Sequence, residues 1–186
     1  MKKVLIISGH PDLKNSFANK KVIEVLAEKL PDAEIRKLDE LYPDYQFDVE
    51  AEHKAWEKAD VIVMQFPFHW YSCPGILKLY IDKMMTRSWA YGSKGKALVG
   101  KKIIFSSTIG APKNFYVPGQ HYNHEPEEFF YMFTEYARQC NMDPLPAIFR
   151  NGMAYIPNVS KPEQLDYVLK TATEQAEEVI ATIEKL

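Results

Sequence analysis

Short apolar runs alternate along this chain with segments whose apolar positions recur every three or four residues. Val4 to Ile7 is a short apolar, mostly β-branched run, as a buried parallel strand should be. Val22, Val25, Leu26 and Leu30 then repeat at helical spacing and stop before Pro31. Residues 34–38 read as an edge strand and residues 49–59 as a helix. Val61 to Met64 predicts the third strand, and Ile76 to Met85 the helix after it. Residues 103–105 predict a fourth strand, following the turn-rich stretch from Gly92 to Gly100. Residues 127–140 are helical in pattern, and a fifth strand is expected at 145–149 or just beyond, where prolines blur the signal. The last helix is the clearest element. Leu165, Val168, Leu169, Ala172, Ala176, Val179, Ile180 and Ile183 form one stripe, with charges on the other face. No repeat, low-complexity stretch or linker interrupts residues 1–186, which read as a single domain.

Strand–helix alternation over this length implies a parallel α/β sheet covered on both faces, with right-handed crossovers. Ligands of such sheets bind beyond the carboxyl ends of the strands, where strand order reverses. That singles out the loops at 8–19, 65–74 and 106–124. The first, with His10, Ser16, Phe17, Ala18 and Asn19, follows a strand and opens a helix whose free N–H groups suit a phosphate. An ordinary capped turn would look much the same. The second carries Pro67, Phe68, His69, Trp70 and Tyr71. Adjacent loop aromatics bounded by prolines are hard to bury together and suit a planar, mostly apolar ring; core packing is the competing explanation. In the third, Gly110 permits close backbone approach, and Tyr116 and His121 are candidates to stabilise charge on a reduced ring. His121 and His124 with Glu125 could suggest a metal, but the expectation is no metal site.

Composition narrows the partners. A net charge of -2 on 186 residues, with both signs mixed along the chain, offers no basic block for nucleic acid or an anionic membrane. The start has two lysines and only four apolar residues, too few for a secretory signal, so a cytoplasmic protein is expected. Cys73 and Cys140 lack metal spacing and read as reduced packing residues. Gly95 to Lys101 imitates a phosphate-binding P-loop, but Lys102 stands where Ser or Thr is needed and the segment precedes a strand. No nucleophile and base pair stands out, which fits a cofactor that performs the chemistry.

At these loops the sequence resembles a known family. His10-Pro with Ser16-Phe-Ala-Asn19, Gln65-Phe-Pro67 through Tyr71-Ser-Cys-Pro74-Gly-Ile-Leu77, and Trp89-Ala-Tyr91-Gly resemble the flavodoxin-like NAD(P)H:quinone oxidoreductases of the DT-diaphorase type. Leu41 to Asp48 resembles the bacterial branch, which includes the ancillary oxidoreductase of glutathione-regulated potassium efflux. The resemblance implies a flavodoxin-like, doubly wound, five-stranded parallel sheet. It also implies a homodimer that binds FMN in preference to FAD and passes hydride from NAD(P)H, as co-substrate, to a quinone or similar small acceptor. By position, His10, Ser16, Phe17, Ala18 and Asn19 would hold the flavin phosphate, and Pro67, Phe68, His69, Trp70 and Tyr71 would line the ring. Ser107, Thr108, Ile109 and Gly110 would close the other side, with His121 and Tyr116 near its pyrimidine edge. Ile109 stands where the family often has glycine, so the path of that loop is expected to differ. The bacterial branch further implies an alternative role, as a regulatory subunit in peripheral contact with a membrane antiporter.

Overall fold

The structure, a computed structural model, describes residues 2–119 and 121–186. Four parallel strands form its centre: β1 (Val4–Ser8), β2 (Glu34–Lys37), β3 (Val61–Pro67) and β4 (Lys102–Thr108). Two short strands, β5 (Asp143–Pro144) and β6 (Ile148–Arg150), both pair with β4, giving the order β2-β1-β3-β4-β5. Side chains alternate across the sheet as its pleat requires. Leu5, Ile7, Ile62, Met64, Phe66, Ile103 and Phe105 enter one core. Val4, Ile6, Val61, Val63 and Ile104 enter the other.

Helices cover both faces. α1 (Ala18–Lys29) and α6 (Pro162–Glu184) pack on the second core. α3 (Val49–Lys58), α4 (Gly75–Met84) and α5 (Tyr131–Gln139) pack on the first, and the single turn α2 (Leu38–Leu41) follows β2 directly. This is the doubly wound parallel architecture that the periodicity implies. The fifth strand is the exception. Asp143–Pro144 pair with Lys102–Ile103, the chain leaves the ladder, and Ile148–Arg150 rejoin it at Ser106–Thr108. Pro144 and Pro146 lack the N–H that a continuous ladder needs, so the expected fifth strand becomes two strands, and the sheet has six among the described residues. The predicted helix at 127–140 also divides, into a tight 3₁₀ turn at Pro126–Phe130, capped reciprocally by Glu125 and Glu128, and then α5.

Two local features brace the frame. A β-carbon on Gly9 would lie 2.7 Å from Leu77 Cδ2, so glycine there lets α4 close against the end of β1. The P-loop-like stretch proves structural. Lys101 Nζ donates to the carbonyls of Glu57 (2.9 Å) and Ala59 (2.5 Å) at the end of α3, and Trp89 stacks on His53 at 3.5 Å.

Candidate functional site

β1 sits between β2 and β3, so the chain's direction of winding reverses at the β1–β3 pair, and a cavity of about 350 Å³ opens beyond their carboxyl ends. The 10–19 turn forms one side of it through His10, Asn15, Ser16, Phe17, Ala18 and Asn19. The end of β3 contributes Pro67, Phe68 and His69, and the end of β4 contributes Thr108 and Gly110. Met153, Ala154 and Tyr155 close the remaining side.

The turn is held by its own side chains. Asp12 N donates to His10 Nδ1 at 3.0 Å, Asn15 Nδ2 to Asp12 Oδ2 at 2.8 Å, and Leu13 N to Asp39 Oδ2 at 2.6 Å. Ser16 Oγ accepts from Asn19 N at 3.1 Å and so caps α1. Because His10 Nδ1 is an acceptor, a neutral ring carries its proton on Nε2. Burial, and then the neighbouring His69, lower the His10 pKa below 6.5, against the opposing pull of Asp39 and Asp12. Burial lowers His69 as well. Both rings are therefore neutral hydrogen-bonding groups at pH 7.

The aromatic loop divides into a lining part and an outer part. Phe68 N donates to the Thr108 carbonyl at 2.8 Å, which extends the β3–β4 pairing into the loop. His69 and Ser72 then exchange backbone hydrogen bonds at 3.0 Å each, leaving Trp70 and Tyr71 as a two-residue turn. Both have positive φ, 48° and 65°, which is the conformation of a mirror-image hairpin turn that glycine or asparagine normally fills. Trp70 is 93% exposed at the tip and Tyr71 packs against Phe129 at 5.3 Å, so neither joins the lining that His69 completes. The resemblance implies both beside the ring; in the structure the turn holds them at the rim, outside the cavity lining.

The two residues expected to act chemically also lie outside the lining. Tyr116 is buried among Phe68, Tyr122 and Phe129, and burial, helped by Tyr122 and Tyr71, pushes its pKa up to about 12. His121 is exposed, with its ring centroid 4.7 Å from that of Tyr122. His124 Nδ1 lies 2.9 Å from Glu128 Oε2. Among the described residues, no group of three His, Cys, Asp or Glu side chains comes together in a way that could hold a metal.

The β4 loop brings Thr108 and Gly110 to the cavity but buries Ser107 and Ile109. Ile109 does not have positive φ, its N–H donates to the Arg150 carbonyl at 2.8 Å, and its carbonyl accepts from Met153 N at 2.9 Å. An isoleucine therefore suits this loop, and it staples the 150–153 segment to β4. That staple presents Met153, Ala154 and Tyr155, which sequence reasoning missed. They follow the strand whose pattern the prolines hid. The strand-end rule would have pointed to them had the end of that strand been fixed. Sequence reasoning also assigned nothing to Gln65 and Gln175. Gln65 Nε2 donates to Asn19 Oδ1 and Asn19 Nδ2 to Thr108 Oγ1, both at 2.8 Å, while Gln175 Nε2 donates to Ser106 Oγ at 2.8 Å.

A family model described as "flavodoxin-like fold" matches residues 2–177. The glutathione-regulated potassium-efflux system ancillary protein KefF of Salmonella typhimurium is 46% identical over 118 residues, which are 63% of this chain and 66% of that protein. The matched stretch thus spans just under two thirds of this curated relative. The general stress protein 14 of Treponema denticola, solved in complex with FMN, is 31% identical, with a TM-score of 0.86 over 96% of this chain and 98% of that one. The NADPH-quinone reductase from P. pentosaceus is 25% identical, with a TM-score of 0.75 over 95% and 98%. No helix among the described residues is long and apolar enough to cross a membrane.

Proposed function

From the premise that this chain belongs to the flavodoxin-like-fold family, we propose that it is an FMN-dependent NAD(P)H:quinone oxidoreductase whose flavin lies in the cavity beyond β1, β3 and β4. One observation carries the reading: three loops far apart in sequence, each singled out by its chemistry, converge on one cavity at the switch point. Its lining suits the two ends of FMN. His10, Asn15, Ser16 and Asn19 form a polar end at the start of α1, fit for a phosphate, and Phe17, Pro67, Phe68 and Tyr155 offer apolar surface for a ring. The Thr108 side chain, at the end of β4, adds a hydroxyl to that lining. FMN is favoured over FAD because the FMN-bound relative matches nearly the whole chain.

When bound, FMN supplies the transfer of two electrons from NAD(P)H to a quinone or similar small acceptor. The chain's part is to hold, orient and stabilise. His10 offers its Nε2–H, and the first amides of α1 their free donors, to the phosphate. Tyr116, which keeps its phenolic proton at pH 7, and His121 would donate to the ring's electron-rich edge. Both lie on the chain that follows β4. Residues 1–186 act as one cytoplasmic domain that pairs as a homodimer. Purified protein loaded with FMN should lose its yellow absorbance on addition of NADH or NADPH and recover it with a quinone. Flavin that stays oxidised in excess of both nicotinamides would overturn the reading.

The identity to the KefF protein favours a second role, as an ancillary subunit that contacts a potassium antiporter. Co-purification with the antiporter that survives removal of FMN would support it. A complex that forms only with flavin-loaded, catalytically active protein would tie the two roles together instead.

A further inference from the structure

Beneath the cavity lies a run of buried polar side chains, in which the flavin reading gives no part to Gln65, Ser106 or Gln175. α6 presents an apolar stripe to the sheet, yet Gln175 interrupts it at zero exposure. Its Nε2 donates to Ser106 Oγ at 2.8 Å and to Gln65 Oε1 at 3.3 Å. Gln65, itself fully buried in β3, donates through Nε2 to Asn19 Oδ1 at 2.8 Å. Asn19, 2% exposed in α1, donates through Nδ2 to Thr108 Oγ1 at 2.8 Å. Four elements, α6, β3, α1 and β4, are thus joined by one chain of hydrogen bonds that ends at a residue lining the cavity.

The chain has a direction. Each amide spends its N–H on the next oxygen, and the last oxygen filled is that of the Thr108 hydroxyl. A hydroxyl that accepts from Asn19 has its own proton left to give. Thr108 is therefore set as a donor, and the cavity it lines is where an acceptor for that proton can sit. At the upstream end, Gln175 Oε1 is buried with no partner among the described residues. That atom is left unpaired while one N–H of the amide is spent on Ser106 Oγ and the other on Gln65 Oε1, at the head of the chain, a cost that simple packing does not explain.

We propose that Gln175 and Gln65 are positioning residues that, through Asn19, fix the Thr108 hydroxyl as a hydrogen-bond donor to the cofactor. The proposal rests on the flavin reading above, and it extends that site to a helix that never touches the cavity.

A double-mutant cycle tests it. Gln175→Met keeps the side chain's shape and removes both donors; Thr108→Val removes the terminal hydroxyl and Thr108→Ser restores it. FMN affinity, read by quenching of flavin fluorescence, should fall about five- to ten-fold in Thr108→Val, the size of one lost hydrogen bond. It should fall about three-fold in Gln175→Met, and the double variant should bind no more weakly than Thr108→Val alone, because both changes act through one donor. Thr108→Ser should restore the wild-type value. Additive losses, or wild-type affinity in Gln175→Met, would overturn the proposal. A cofactor-free measurement separates its failure from that of the flavin reading. In the wild type the Asn19 side-chain amide protons should exchange slowly with solvent, and Gln175→Met should speed them markedly. If FMN fails to bind the wild type, the flavin reading falls and with it the donation to a flavin. Unchanged Asn19 exchange in Gln175→Met with FMN still bound would sink the chain itself and leave the flavin reading intact.

Discussion

His10 shows how a single side chain is set by its surroundings. Its Nδ1 is committed to Asp12 N, its ring is partly buried, and His69 lies close enough to oppose a charge. These effects outweigh the attraction of Asp39 and Asp12, so the folded pKa lies below the ordinary 6.5. His69 is lowered by burial too. Below 6.5 the unfolded chain then binds protons that the folded chain does not. The stability these rings contribute is whole above that value and drains away as pH falls toward the folded pKa. Urea unfolding of the cofactor-free protein should show a midpoint that drops between roughly pH 7 and pH 5, the range in which histidine is the main titrating group. His10→Asn keeps an acceptor for Asp12 N but cannot titrate, and it should flatten part of that drop. An equally steep profile in the variant would place the proton elsewhere. The residue scale also shows what a sequence hides. Ile109 for glycine reads as a disturbance of the loop, yet the backbone there is ordinary and the side chain fills the core. Only coordinates reveal which positions have positive φ.

The elements were legible where one force dominated. β1, β3 and α6 carry long, unambiguous patterns and appear where periodicity puts them. The fifth strand was legible only in outline: 145–149 or just beyond overlaps β6, but two prolines broke both its pattern and its ladder, so its end, and with it the site's fourth wall at 153–155, was missed. Gln175 and Glu52 were missed for a different reason. A polar residue on a helix reads as solvent-facing unless its partners are known, and those partners are distant in sequence. Glu52 in α3 is fully buried. It accepts from Arg36 Nε at 2.7 Å, Tyr42 OH at 2.5 Å and Tyr80 OH at 2.6 Å. This cluster ties α3 to the edge strand β2 and to α4. Removing one partner of a buried ion pair strands the other, at a cost of about 3 kcal/mol or more. Glu52→Gln should therefore lower stability by about that much in urea unfolding at pH 7, with the burden on Arg36. Tyr42→Phe, which deletes one neutral donor to Glu52 and leaves Arg36 paired with it, should cost only about 1.5 kcal/mol. If the two substitutions cost the same, the ion pair is not what anchors this edge. FMN affinity should survive both, since the cluster lies outside the cavity lining.

At the scale of the whole molecule, the hairpin at 69–72 is out of place in an isolated chain. Trp70 and Tyr71 both adopt left-handed backbone, at a cost of order 1–3 kcal/mol each. Trp70 gains nothing for this in the chain itself, being 93% exposed. Nearby, Ser72 Oγ meets Met132 Sδ at 3.9 Å, Tyr71 stacks on Phe129, and Tyr131 and Met132 are themselves exposed at the start of α5. Strain combined with exposed apolar surface is what a recognition surface looks like before it is covered. The proposed homodimer and the flavin ring are the two surfaces available to cover it. Trp70→Ala should then shift sedimentation from dimer toward monomer and weaken FMN binding by about ten-fold, the scale of a lost aromatic anchor. Trp70→Gly sharpens the test. It removes the same ring but also relieves the left-handed strain, so the free chain should be more stable than that of Trp70→Ala, by about 1 kcal/mol at most. A glycine variant that is more stable yet binds and pairs poorly would mean that the turn holds its tryptophan for a partner at the fold's expense. If dimerisation and FMN affinity both survive the loss of the ring, the strained turn serves neither, and the surface must await a different occupant.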